Sequence, residues 1–170
     1  MFLNQNMNAK FPDKSRGISM LEVLITILIV SLGLLGMAGL ITTGMKSNAT
    51  AHYRSVATNQ AQDISDRMRA NLSGVRDGFY DALTTSIPAS TDCIATECNA
   101  LQVSVFDHAQ WNDVNARVLP GGAGTVTGSL VDGFLIVVMW VEKEMDGAVD
   151  PQCPNDVAAG TRCFRTRFSP

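Results

Sequence analysis

From Val23 to Met45 the chain runs for 23 residues without a charged side chain, and no other feature of its 170 residues limits the fold so strongly. At about 1.5 Å per residue a helix of that length covers roughly 34 Å, enough to cross a hydrocarbon core of about 30 Å. A carboxylate, Glu22, stands at its leading edge. An ionised acid in a membrane segment costs about 2.5–3.5 kcal/mol on insertion scales, so Glu22 calls for a counter-charge.

What surrounds the run sets its orientation. Lys10, Lys14 and Arg16 precede it with only Asp13 opposing them, and the positive-inside rule then leaves the N-terminus in the cytoplasm. Residues 46–170 carry ten basic and fourteen acidic side chains, a formal charge of −4, which disfavours non-specific nucleic-acid binding. All four cysteines, Cys93, Cys98, Cys153 and Cys163, lie beyond the run, as expected of disulfides in an oxidising compartment. A cleaved secretory signal is a poor fit. Ala49-Thr50-Ala51 could serve as its cleavage site, but an apolar core of that kind has about 7–15 residues.

Beyond the run, Tyr53, Val56, Ala57, Ala61, Ile64, Met68 and Leu72 recur at helical spacing with no proline between Lys46 and Leu72, which predicts an amphipathic continuation. The helix is expected from about Ser19 to Leu72, with Asn71-Leu72-Ser73-Gly74 as its stop signal. Asp63 and Arg67 stand i,i+4 in the favourable order. Gly33, Gly36, Gly39 and Gly44 soften the apolar half, since each interior glycine costs roughly 1 kcal/mol relative to alanine. Small residues at that spacing also let lipid-embedded helices pack closely.

A loop is expected from Ser73 to about Cys98, then a helix opened by the Asn99/Gln102 capping box. Leu101, Val105, Phe106, Ala109, Val114 and Val118 are its expected buried face, and Pro120-Gly121-Gly122 its end. Thr125–Val131 and Phe134–Glu142 read as strands joined by a tight Asp132-Gly133 turn. The second is almost wholly apolar from Phe134 to Val141 and should be central, with a last strand at Cys163–Phe168. Trp111 and Trp140 are expected as core or half-buried aromatics. Four cysteines allow three pairings. Cys93–Cys98 and Cys153–Cys163 are favoured because each closes a local loop, and the second tethers the excursion 150–160. A zinc site lacks two C-x-x-C pairs, and His52 and His108 are remote from the cysteines.

No catalytic constellation emerges, and neither an enzyme nor a cofactor nor a metal is expected. Asp107-His108 reads as a surface helix pair whose side chains diverge by about 100°. Asp146, Asp150 and Asp156 read as solvated loop carboxylates without EF-hand spacing.

Lys14-Ser15-Arg16-Gly17, Ile18-Ser19-Met20-Leu21-Glu22 and the apolar run together resemble the class III signal of type IV prepilins and pseudopilins. The resemblance implies cleavage by prepilin peptidase between Gly17 and Ile18, N-methylation of Ile18, and Glu22 as the glutamate at the fifth mature position. Ile18 and Ser19-Met20-Leu21 replace residues more usual there. A new amine among packed apolar helices is a cation without water, and a neighbouring subunit's carboxylate can offset it. That is the implied task of Glu22.

Further on, Ala61–Asn71, Phe106–Trp111, Leu119–Gly124 and Val137–Trp140 resemble the D-x-x-D-R-M-R-A-N, D-x-A-Q-W, L-P-G-G and V-x-V-x-W stretches of PilV-type minor pilins. This family resemblance covers most of the chain. It implies an α+β type IV pilin fold, a long N-terminal helix packed on a small antiparallel sheet. It divides the chain into a leader (1–17), a transmembrane and assembly half-helix (18–45), and a periplasmic or extracellular globular domain (46–170). It also implies a single-pass inner-membrane subunit that later joins the fibre near its tip, with other minor pilins, the major pilin, prepilin peptidase and the inner-membrane assembly platform as partners. Initiation of pilus assembly, adhesion and twitching motility are the implied roles. Two alternatives stay open, a type II secretion pseudopilin and a DNA-receptor minor pilin reading DNA through Arg162, Arg165 and Arg167.

Overall fold

The computed structural model describes residues 17–142, 148 and 150–170. The chain divides into two compact units, Met1–Met45 and Lys46–Pro170. Helix α1 (Met20–Ala70) is 51 residues long and enters both. In the first unit residues 20–45 of the helix are exposed throughout. The hydroxyls there are not left bare. Thr26, Ser31, Thr42 and Thr43 donate to the carbonyls of Val23, Leu28, Ala38 and Gly39 at 2.8–3.1 Å, which suits an apolar surrounding where no water can serve them.

In the second unit the amphipathic part of α1 packs on a four-stranded antiparallel sheet, an α+β arrangement consistent with the type IV pilin fold. Of the predicted stripe, Ala57, Ala61, Ile64 and Met68 are buried and Tyr53 and Val56 flank them. Leu72 is exposed instead, because α1 ends at Ala70. The segment expected as loop begins with a short helix, α2 (Leu72–Arg76), which Asn71 caps by accepting from the Gly74 N–H. It also holds the two-residue strand β1 (Ala82–Leu83).

Helix α3 (Ala100–Val118) opens with the predicted Asn99/Gln102 capping box, both reciprocal bonds present at 2.9 and 3.0 Å. Of the apolar stripe read from the sequence, its buried face keeps Ala109, while Val105, Phe106 and Val114 are half-buried. Leu101 and Val118 are exposed, and the residues turned inward are Ser104, Asp107, His108, Ala109, Trp111, Asn112 and Asn115. Hydropathy missed this because most of the polar members are inside to bond specific groups, His108 and Asn112 the main chain of other segments and Asp107 the side chains of Arg67 and Tyr80, and buried polar groups are tolerated when they are hydrogen-bonded.

Strands β2 (Ala123–Ser129), β3 (Gly133–Val141) and β4 (Thr161–Phe168) follow, and the sheet order is β1-β2-β3-β4. β3 lies between two neighbours, as its continuous apolar sequence required. The β2–β3 connection is a three-residue loop rather than the tight two-residue turn. Ser129 pairs with Gly133, Asp132 is held by the Ser129 hydroxyl at 2.9 Å, and Gly133 takes φ +78°, the left-handed residue that closes such a loop.

Period-two alternation gives the sheet two different faces. Val126, Phe134, Ile136, Val138, Trp140 and Phe168 join α1, Tyr80 and Trp111 in the main core. On the other face Val137, Met139, Cys153 and Cys163 form a second, smaller cluster. Trp111 and Trp140 are essentially inaccessible, as expected. Trp111 packs against Gly124, where a Cβ would meet its ring at 2.2 Å.

Candidate functional site

At the N-terminal end of α1, Gly17, Ile18 and Ser19 are irregular and Met20 begins the helix. Ser19 starts it by accepting from the Leu21 N–H through its hydroxyl at 3.3 Å and from Glu22 and Val23 through its carbonyl at 3.0 and 3.3 Å. Glu22 therefore sits in the first turn, where the helix dipole favours a negative charge by about 0.3–1 kcal/mol. It is exposed and has no ion-pair partner among the described residues. Local helix electrostatics thus give Glu22 a modest reason to be acidic, but nothing within the described chain uses its charge.

The glycines point the same way. No atom lies within 4 Å of a Cβ placed on Gly17, Gly33, Gly36, Gly39 or Gly44. Intrachain crowding therefore explains none of these five glycines, four of which weaken a helix that alanine would strengthen. α1 is also long and apolar enough, by length and composition, to cross a membrane.

In the second unit the segments quoted for the family resemblance converge. Arg67 binds Asp63 at 2.8 Å and Asp107 of α3 at 3.2 Å. Tyr80 donates to the other Asp107 oxygen at 2.6 Å, and Asn71 reaches the Tyr80 hydroxyl at 3.1 Å and the Ala100 carbonyl at 2.8 Å. Burial acts to lower the Arg67 pKa, but hydrogen bonds and charge from Asp63 and Asp107 outweigh it and raise the value. Burial first, and then the bond to Asp107, push the Tyr80 phenol well above its ordinary value. Trp111 donates its indole N–H to the Gln60 carbonyl at 2.9 Å, and the Pro120 carbonyl accepts from Val141 at 2.7 Å. Asp107 and His108 are buried, not a surface pair. They serve different partners, His108 Nε2 lying 2.7 Å from the Thr84 carbonyl. Sequence spacing showed only its Asp63–Arg67 pair, because the other bonds join residues far apart in the chain.

Cys93 is bonded to Cys98 and Cys153 to Cys163, so none of the four is a thiolate ligand for zinc. Among the described residues no group of three or more His, Cys, Asp or Glu side chains could hold a metal ion. Asp150 is buried rather than solvated. It holds the Gln152 N–H at 2.9 Å and lies 3.9 Å from Arg162, which also pairs with the buried Glu142. Thr50 of α1 donates to that same Glu142. Asp156 is exposed, and Asp146 lies outside the described residues. Arg162 is thus engaged within the fold, while Arg165 and Arg167 are exposed without ion-pair partners among the described residues.

Residues 12–38 match the family described as the prokaryotic N-terminal methylation motif. No curated protein and no solved structure matches the chain. The motif, heading a long apolar helix that continues onto a small antiparallel sheet, supports a type IV pilin-like or pseudopilin-like subunit. Such a motif indicates a structural subunit rather than an enzyme, processed by prepilin peptidase, anchored in a membrane and assembled into pilus-like fibres.

Proposed function

We propose that this chain is a minor pilin of the PilV type, which starts type IV pilus assembly together with other minor pilins. The observation that carries the reading is the methylation motif at the head of a helix whose apolar part, residues 20–45, is exposed throughout. The PilV assignment is supported by Arg67, Asp107, Trp111 and Pro120, which the quoted segments supply and which bond one another's elements.

On this reading prepilin peptidase removes residues 1–17 by cutting after Gly17, and Ile18 becomes the methylated N-terminus. Residues 18–45 lodge in the inner membrane, and residues 46–170 form the periplasmic domain. Glu22 then offsets the buried amine of an adjacent subunit as the helices bundle with the major pilin and the other minor pilins on the assembly platform. The finished subunit resides near the fibre tip and supports adhesion and twitching motility.

Two measurements test it. Mass spectrometry of the mature protein should find a methylated Ile18 at the N-terminus, and an intact residue 1 or a start at His52 overturns the reading. A deletion strain should lose surface pili when retraction is active and regain them when retraction is disabled. Normal pili with impaired protein secretion would identify a pseudopilin instead.

A further inference from the structure

β4 is an outer strand of the sheet, and the hydrogen-bond phase of the neighbouring strand defines what its free edge offers. Val141 donates to Pro120 on the β2 side at 2.7 Å and Glu142 donates to Gly160 on the β4 side at 2.8 Å. Given the register Val141↔Thr161, the even-numbered residues of β4 bond to β3. Thr161, Cys163, Arg165 and Arg167 then turn their N–H and C=O groups outward.

The chain itself begins to cover that edge and then leaves it. Ala148 accepts from the Gly160 N–H at 2.9 Å, Asp150 donates to the Thr161 carbonyl at 3.2 Å, and the Thr161 N–H goes to Ala158 at 3.3 Å. Past this start the outward groups of Cys163, Arg165 and Arg167 have no main-chain partner among the described residues. Only the Thr166 hydroxyl approaches the Arg167 carbonyl, at 3.5 Å.

The two sides of the open edge differ chemically. On the helix side a cavity of about 410 Å3 lies between α1 and β4; its α1 wall is mostly polar, with Thr58, Gln62, Ser65 and Asp66, and its apolar part is Phe164 and Phe168 on the β4 wall. Arg69, paired with Asp66 at 2.7 Å, lies over the Phe168 ring at 4.7 Å and closes one end. On the opposite side stand the unpaired guanidinium groups of Arg165 and Arg167, in a unit whose sequence is otherwise acidic.

We propose that this edge is a docking site for an extended segment of a partner protein in which apolar and acidic residues alternate. Added as the next strand, such a segment makes main-chain bonds to Cys163, Arg165 and Arg167. Its apolar side chains enter the cavity beside Phe164 and Phe168, and its carboxylates meet Arg165 and Arg167. Strand addition of this kind takes its affinity from the main chain and its specificity from the alternating side chains. Capture of such a segment is independent of whether the chain enters a fibre.

The test uses the full-length protein in detergent micelles and a fluorescein-labelled peptide, T-E-V-E-V-E-T, followed by anisotropy. Four peptides are compared: this one, its lysine counterpart T-K-V-K-V-K-T, and two N-methylated versions, one on the main-chain nitrogens of the glutamates and one on those of the valines. The acidic peptide should bind at least tenfold more tightly than the lysine peptide, and one of the two N-methylated forms should lose binding. The amides of Cys163, Arg165 and Arg167 should exchange more slowly in the complex. The R165E/R167E double variant, at two exposed positions, should reverse the charge preference while keeping the wild-type melting temperature. Absence of binding, equal binding of acidic and lysine peptides, or full binding by both N-methylated forms overturns the proposal. If the double variant does not fold, the peptide comparisons decide alone.

Discussion

The side-chain amide of Asn112 makes with the main chain of Gly124 the two bonds that a neighbouring strand would make. The Gly124 N–H donates to Asn112 Oδ1 at 2.7 Å, and Asn112 Nδ2 donates to the Gly124 carbonyl at 3.2 Å. β1 pairs with β2 only at Val126 and Thr127, so one buried side chain of α3 extends the covered edge of the sheet. The same Nδ2 reaches the carbonyls of Thr84 and Ser86 at 2.8 and 3.2 Å. Asn112→Ala leaves these groups unserved, and the unfolding free energy should drop by about 2–4 kcal/mol, as burial of unsatisfied polar groups costs about 1–3 kcal/mol each. Asn112→Asp should be at least as damaging, since a carboxylate cannot donate to three carbonyls. Urea denaturation followed by circular dichroism checks both.

Gly124 carries a second constraint, because a Cβ there meets the Trp111 ring at 2.2 Å. Gly124→Ala must displace the indole from its bond to Gln60. A loss of about 1–3 kcal/mol is expected for overpacking of this kind, with a red-shifted tryptophan emission as its spectroscopic mark.

The Tyr80–Asp107 bond gives a pH dependence. Because the folded state raises the Tyr80 pKa above its unfolded value of about 10, its contribution is complete below pH about 10 and is lost as pH rises beyond that. Between pH 9 and 11 wild-type stability should therefore fall more steeply than that of Tyr80→Phe, which has no phenol to ionise. Equal slopes in the two proteins would refute the assignment. At pH 7 the variant should be less stable by about 1.5–3 kcal/mol, the range for a hydrogen bond to a charged group.

The two disulfides should differ in weight. Cys153–Cys163 is buried against Val137 and Met139 and ties the segment leading into β4 over the sheet, whereas Cys93–Cys98 closes a five-residue separation in a largely exposed loop. Loop-closure entropy alone separates them by only about 0.6 kcal/mol. The lost packing around Cys153 and Cys163 adds to this. Replacing that pair by serine should cost about 3–5 kcal/mol and the other about 2 kcal/mol, as read from unfolding midpoints.

Glu22→Ala separates the helix-start role from the assembly role. Loss of a favourable dipole interaction is worth about 0.3–1 kcal/mol, too little to unseat a long apolar helix, so membrane insertion should persist. Incorporation into fibres should fall at least tenfold if the carboxylate offsets a neighbour's amine. Normal incorporation contradicts that pairing, and Glu22→Asp should restore part of it.

How far the fold could be read ahead depended on whether burial followed hydropathy. The stripe Ala57, Ala61, Ile64 and Met68 and the apolar strand β3 were legible, because what is inside there is greasy and spaced at 3.6 or 2 residues. α3 was legible in its boundaries through Asn99 and Gln102, but not in its rotation, since its inner face holds Asp107, His108, Asn112 and Asn115. The short elements α2 and β1 escaped for another reason. Asn71 fixes the first through partners in α2, in α3 and at Tyr80, and β1 exists by pairing with residues more than 40 positions away. The N-terminal motif was legible because processing signals are local in sequence. The open β4 edge was not, because an edge is defined by what fails to lie beside it.

The polar inner face of α3 has one more consequence. Oily contact resists separation but is indifferent to small rotations, while the bonds from Asp107, His108 and Asn112 each lock onto a fixed atom. The helix is keyed in azimuth like a toothed shaft, so a subunit built this way can bear torque on its domain without its layers slipping a notch.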